Sequence, residues 1–221
     1  MTVDSPTVMV VQNDIEPGQE AGFDAWYLAD HMPDRVGTPG FRRARRWRAF
    51  EGGPRDLSFY ELDGPEAMRA PAYLAKLADP TEGTKHHMRH FVGMVRTICA
   101  VHATEGFADG GCAALIAIMN PTKTAALNAV FAAEGWRADP ETGVVARAVL
   151  RCDPDASHND SAEARMRKGR DRIVEAALWI EAATPEQLRP AAKAAQAALG
   201  AAGIAAEPPV LVRLAASFHP A

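Results

Sequence analysis

The chain has few of the features that most readily betray a function. Its 221 residues include three cysteines, Cys99, Cys112 and Cys152, an odd number with no CxxC pair. That argues against a disulfide framework or a zinc cluster and suits a reducing cytoplasm. No apolar run approaches the ~18 residues that a membrane span requires. The opening MTVDSPTVMVVQN has neither a basic leader nor a long apolar stretch, so a secretory signal is not expected. Gly52-Gly53 and Gly110-Gly111 read as turns, and neither fits the strand, glycine loop and helix layout of a phosphate site. Local signatures of a Ser-His-Asp or Cys-His catalytic group are missing too. The net charge is −4 and neither half is basic, so partners such as nucleic acid or a membrane surface are not expected. Lysine is scarce beside arginine and alanine is abundant, which suits a GC-rich bacterial genome.

Hydrophobic residues make up 48% and charged residues 24%, an ordinary balance for a soluble globular protein. Thr7–Asn13 is short and rich in β-formers and predicts a strand. Glu16-Pro17-Gly18 opens a helix carrying Phe23, Trp26, Tyr27 and Asp30, which Pro33 is expected to stop. Phe41–Glu51 and Asp56–Asp63 form a hairpin around Gly52-Gly53-Pro54. Gly64–Leu77 is helical with a break at Pro71, and Asp79-Pro80-Thr81-Glu82 starts a second helix with Asp79 as cap. Gly93–Ala103 is a strand. The same order then returns. Strands are predicted at Cys112–Met119, Gly143–Arg151, Ile173–Ala183 and Pro209–Ser217. Helices are predicted from Asn120-Pro121 to Glu134 and from Thr184 to Gly200. Asp153–Asp171 lacks periodicity and reads as an inserted polar loop.

The order βαββαβ therefore occurs twice, about 105 residues apart. The fold class is α+β, two tandem ferredoxin-like repeats over residues 1–106 and 107–221. Each repeat covers one face of its sheet with helices and leaves the other bare, so the two are expected to bury their bare faces against each other. The gap between sheet and helices becomes the natural ligand cavity. A monomer with an internal pseudo-dimer, or a homodimer of such chains, follows.

Over residues 7–103 the chain resembles the EthD-like branch of the dimeric α+β barrel superfamily. The matching residues are the strand VMVV, Phe23-Asp24-Ala25-Trp26-Tyr27, Asp30-His31-Met32-Pro33-Asp34, Pro39-Gly40-Phe41 and Arg45-Arg46-Trp47. Ser58-Phe59-Tyr60-Glu61-Leu62, Pro71-Ala72-Tyr73-Leu74 and Asp79-Pro80-Thr81 complete the set. The resemblance implies one of several activities: cofactor-free monooxygenation, lactone isomerisation, cyclisation or haem binding. It also implies that His31 points into the cavity between helix and sheet. The second half lacks the WY-xxx-H-x-P string and is expected to be a degenerate, structural copy.

His31 is the sharpest candidate. Before a proline stop, the free carbonyls of a helix end favour a cation, and Asp30 and Asp34 would add to that. A histidine poised near neutral pH suits proton transfer, and Tyr27 lies one turn earlier on the same face. The other role open to His31 is capping the helix and tying it to the next loop. Strand alternation sends Arg42, Arg46 and Arg48 to one face and Arg43, Arg45 and Trp47 to the other. That leaves Arg46 to hold charge on a substrate oxygen, or the arginines to make surface ion pairs. Trp26, Trp47 and Tyr60 are candidate cavity walls, or ordinary core. His86, His87 and His90 form an HHxxH cluster, with a metal or haem ligand as one role and a solvated face or a cavity-mouth His90 as the other. The leading expectation is a cofactor-independent enzyme on a small cyclic or aromatic carbonyl or carboxylate compound. It would be an isomerase, cyclase or lyase, with His31 and Tyr27 catalytic and no metal. A monooxygenase, cofactor-free or haem-dependent, and a non-catalytic binding protein are the alternatives.

Overall fold

Alternating apolar residues build eight strands: β1 Thr7–Ile15, β2 Phe41–Glu51, β3 Asp56–Leu62, β4 Phe91–Gly106, β5 Cys112–Ile118, β6 Val144–Cys152, β7 Ala176–Ala182 and β8 Val210–Phe218. The computed structural model describes residues 5–120, 122–158 and 160–220. The strands close into one barrel in the order β1-β3-β2-β8-β5-β7-β6-β4, and every named pair is antiparallel. Each half contributes a four-stranded sheet of the same topology, β4-β1-β3-β2 and β8-β5-β7-β6. The fold is a tandem ferredoxin-like α+β barrel. Two seams join the halves: β2 with β8, from Ala44↔Phe218 to Glu51↔Leu211, and β4 with β6, from Cys99↔Cys152 to Gly106↔Ala146.

The barrel interior is solid. Val8, Val10, Trp47, Leu57, Phe59, Cys99, Trp179 and Val212 form one buried cluster drawn from both halves. Eight strands leave an interior that side chains just fill. At one end the filling is ionic. Arg45 donates to Glu181 Oε2 at 2.7 Å, while Glu61 Oε1 accepts from Arg43 at 2.6 Å. Glu181 also takes the Trp179 indole N–H at 2.7 Å and the Gly110 N–H at 2.9 Å. The Arg45 guanidinium lies 5.3 Å from the Trp47 ring and 5.4 Å from the Phe59 ring.

Several local expectations are corrected. Pro33 does not stop its helix. α1 Glu20–Trp26 passes through a π-helical turn at Tyr27–His31 into α2 Met32–Val36. The Met32 N–H reaches back five residues to Tyr27 O, and Pro33, which has no N–H to give, falls in the first turn of the new segment. α3 is Pro71–Ala78, preceded by a 3-10 turn at Pro65–Arg69. Thr81, not Asp79, caps α4 Glu82–Met88, its hydroxyl accepting the Thr84 N–H at 3.2 Å. The first helix of the second half, α5 Thr124–Ala132, begins after Lys123, and Pro121 lies outside the described residues. Asp153–Asp171 holds two helical turns, α6 Pro154–Ser157 and α7 Ala162–Arg165, and α8 is Pro185–Ala201. Between Phe41 and Arg43 the β2–β3 register shifts, so Arg42 leaves the simple alternation.

Removing one member of a buried ion pair strands the other. Glu181→Ala should lower the free energy of unfolding by about 3 kcal/mol, read as a shift in the urea midpoint at unchanged slope.

Candidate active site

The π-turn shapes the site. A wider turn brings residues four and five apart onto one face: the His31 ring stacks on Tyr27 at 4.8 Å and meets Trp26 at the same distance, tilted by 47°. Trp26 is anchored by its indole N–H to Asp30 Oδ2 at 3.0 Å, and its far side stacks on His87 at 4.8 Å. Gly83 lets α4 approach this closely, since a Cβ there would sit 2.5 Å from Trp26 Cδ1. Tyr27 hydrogen-bonds to Ser58 Oγ at 2.9 Å and Tyr60 Oη at 3.3 Å, and the Tyr60 hydroxyl donates to Met32 Sδ at 3.2 Å. His31 is 6% exposed, and its Nδ1 is buried with no hydrogen-bond partner.

This ring borders a cavity of about 20 Å³ between helices and sheet, lined also by Tyr27, Tyr60, Tyr73, Arg35, Arg96 and Arg167. That is room for about one water. Tyr73 and Arg96 also line a second, wider pocket of about 400 Å³, bounded by α3 and by Ala156, His158, Asp160, Ser161 and Ala162. The two spaces are neighbours that share a wall.

The segment expected to be an inserted loop is a strap from the second half that completes this site in the first. Where β6 leaves β4 beyond Cys99↔Cys152, Ser157 Oγ accepts the Ile98 N–H at 2.9 Å and donates to Ile98 O at 3.2 Å. Ala156 joins the hydrophobic core of the first half. Glu163 pairs with Arg35, and Arg167, paired with Asp171 at 2.5 Å, lines the small cavity. The lining of the small cavity is therefore not confined to residues of the first half.

The electrostatics reverse the expectation of a protonated His31. Burial first, then the positive charges of Arg35, Arg167 and Arg46, push its pKa well below the ordinary value of 6.5. The ring is neutral at pH 7. Burial also raises the pKa of Tyr27 and, strongly, that of Tyr60, so both stay protonated as donors. Arg46 is held by Asp24 at 2.6 Å and Asp56 at 2.8 Å, with its guanidinium 4.9 Å from the Tyr27 ring. Burial alone would raise the pKa of Asp24, but hydrogen bonds from Arg55, Arg48 and Arg46 outweigh it and bring it down to about 2.

Of the predicted site residues, the fold thus gathers His31, Tyr27, Trp26 and Tyr60, with Arg46 behind them. Trp47 is elsewhere, inside the barrel. His90 is tied to Glu16 Oε2 at 2.8 Å and does not line the cavity. Arg35, Arg96, Glu163 and Arg167 escape sequence reasoning. Arg96 carries a signal, a charge in the middle of an apolar strand; Arg35 and Glu163 meet across 128 residues, and Arg167 enters the cavity only through the fold. Among the described residues no group of three or more His, Cys, Asp or Glu is placed to hold a metal ion.

No protein-family model matches the sequence, and no curated protein matches it. Solved structures do. An anthrone oxidase-like protein superposes with a TM-score of 0.65 at 12% identity, over 99% of this chain and 95% of its own. A proposed monooxygenase from Lactobacillus acidophilus NCFM gives 0.52 at 9% identity, over 98% and 97%. A heme-binding protein from Thermus thermophilus gives 0.55 at 8% identity, over 98% and 93%. At such identities the likeness is one of fold, the dimeric α+β barrel. Haem does not fit the spaces beside His31. The smaller takes about one water, and the wider presents one histidine, His158, exposed at its rim.

A depressed histidine pKa fixes the sign of a pH effect. As pH falls below about 6.5, the unfolded chain takes up the proton first, so stability present above that pH is lost below it. His31→Gln should flatten this loss, measured as the difference from the unsubstituted protein in urea midpoints at about pH 7.5 and about pH 5.5. In NMR titrations over the same range the His31 ring resonances should stay at their neutral positions.

Proposed function

We propose that the chain is an enzyme of the EthD-like branch that moves a proton on a small cyclic or aromatic carbonyl compound without a cofactor. One observation carries this: a buried, neutral imidazole whose Nδ1 has no partner, facing a cavity rimmed by arginines and tyrosine hydroxyls.

A neutral imidazole is the form that accepts a proton. His31 takes one from the carbon next to the substrate carbonyl, and the electron pair left behind moves onto the oxygen as an enolate. Tyr60 faces that oxygen with a hydroxyl shared between the Met32 thioether and the Tyr27 hydroxyl, and Arg35 and Arg167 supply positive charge. Those charges disfavour an imidazolium until the enolate forms, and the enolate then offsets them. Returning the proton to a different atom completes an isomerisation. Tyr27 positions the imidazole by stacking, and Arg46 positions Tyr27. The substrate body occupies the wider pocket, which shares Tyr73 and Arg96 with the cavity beside His31.

An oxygen-using reaction shares the first step, because an enolate can reduce O2 without a cofactor. The fold likeness to an anthrone oxidase-like protein and a proposed monooxygenase supports testing it.

Anthrone and carboxylated cyclic 1,3-diketones, incubated with the full chain in D2O under nitrogen, should exchange the acidic C–H, followed by proton NMR. His31→Gln should slow the exchange by at least about a hundredfold while the melting temperature at pH 8 changes little. An equal fall in exchange and melting temperature would support a capping role instead. Oxygen uptake in air, abolished by the same substitution, would identify the oxygenase; exchange without uptake would identify the isomerase.

A further inference from the structure

Seven arginines among the described residues are buried: Arg35, Arg43, Arg45, Arg46, Arg96, Arg147 and Arg167. A guanidinium stays charged at any working pH, so taking it out of water is costly unless an anion meets it. Six of them have one. Arg35 pairs with Glu163, Arg43 with Glu61, Arg45 with Glu181, Arg46 with Asp56, Arg147 with Glu105 and Arg167 with Asp171.

Arg96 differs. It is 5% exposed, and among the described residues no carboxylate lies within ion-pair distance. Its guanidinium has only weak neutral partners: Ser157 O at 3.3 Å, Tyr73 Oη at 3.4 Å and Met68 Sδ at 3.6 Å. It lines the pocket of about 400 Å³, whose other walls include Leu74, Leu77, Ala156 and Ala162. That volume suits a small organic molecule.

We infer that this pocket is a binding site for a monoanionic carboxylate with an apolar ring body, the carboxylate seated on Arg96 and Tyr73. Geometry selects the charge. One guanidinium offers a two-pronged seat for one carboxylate. The apolar walls select the body. The site adjoins the His31 cavity, so the inference deepens the function proposed above and rests on it for whatever chemistry follows binding; the binding itself does not depend on turnover.

The probe is 1-naphthoate, with the neutral 1-naphthamide and inorganic phosphate as controls, titrated into the full chain by calorimetry. Naphthoate should bind, naphthamide at least about tenfold more weakly, and phosphate should not compete. Arg96→Gln should weaken naphthoate by at least about tenfold and leave naphthamide unchanged. Ala162→Phe, which fills the pocket from the strap without touching the charge, should abolish binding of both and serves if Arg96→Gln does not fold. Failure of naphthoate to bind, equal affinity for naphthoate and naphthamide, undiminished binding in Arg96→Gln or Ala162→Phe, or effective competition by phosphate would each overturn the site. His31→Gln should bind naphthoate like the unsubstituted protein. Naphthoate binding with no exchange of any tested carbonyl compound would sink the proposed enzyme and leave this site standing.

Discussion

A four-stranded antiparallel sheet with helices on one side has two unpaired edges and an uncovered apolar face, and this chain removes both problems at once. Hydrogen-bonding the edges of two such sheets to each other, β2 to β8 and β4 to β6, makes a closed barrel with no free edge and an interior shielded from water. The interior is then filled by Trp47, Phe59, Trp179 and their neighbours, with an ionic layer at one end. The space beside His31 is therefore confined to the outside of the barrel, between strands and helices.

The two halves use that outer space differently. In the second it is densely apolar, with Leu127, Val130, Trp136, Leu188 and Leu199 packed between sheet and helices. In the first, Met9, Phe23 and Ile98 share it with Arg35, Arg46, Arg96, Tyr60 and His31. Burial of the imidazole, and then the cations around it, keep that ring neutral. The polar half also holds the cavity beside His31 and shares the wider pocket with residues of the strap.

The repeated strand order is legible in the sequence because alternation and turn residues are local signals. So is the partnership of Tyr27 and His31, which needs only helical spacing. The continuation of the helix past Pro33 is not, because proline usually ends a helix and nothing local announces a π-turn that absorbs it. The protonation state of His31 is hidden for a related reason. Asp30 and Asp34 are neighbours in sequence, but Asp30 binds Trp26 and Asp34 binds Arg35, while Arg167 arrives from the other half of the chain. Pairing with the strand of Tyr60 suggests the cavity for Trp47, yet pairing alone does not say which face of the sheet a residue takes. The polar strap has no periodicity to reveal that Glu163 and Arg167 are buried.

The strap also breaks the symmetry that duplication creates. In an assembly of two identical chains, any insertion that covers one partner's sheet must be present twice and must fit twice. Within one polypeptide, residues 153–171 need to fit once, and the counterpart surface on the other half is free to become packed scaffold. Fusion thus lets one half keep a dense apolar layer while the cavity of the other is lined by residues from both.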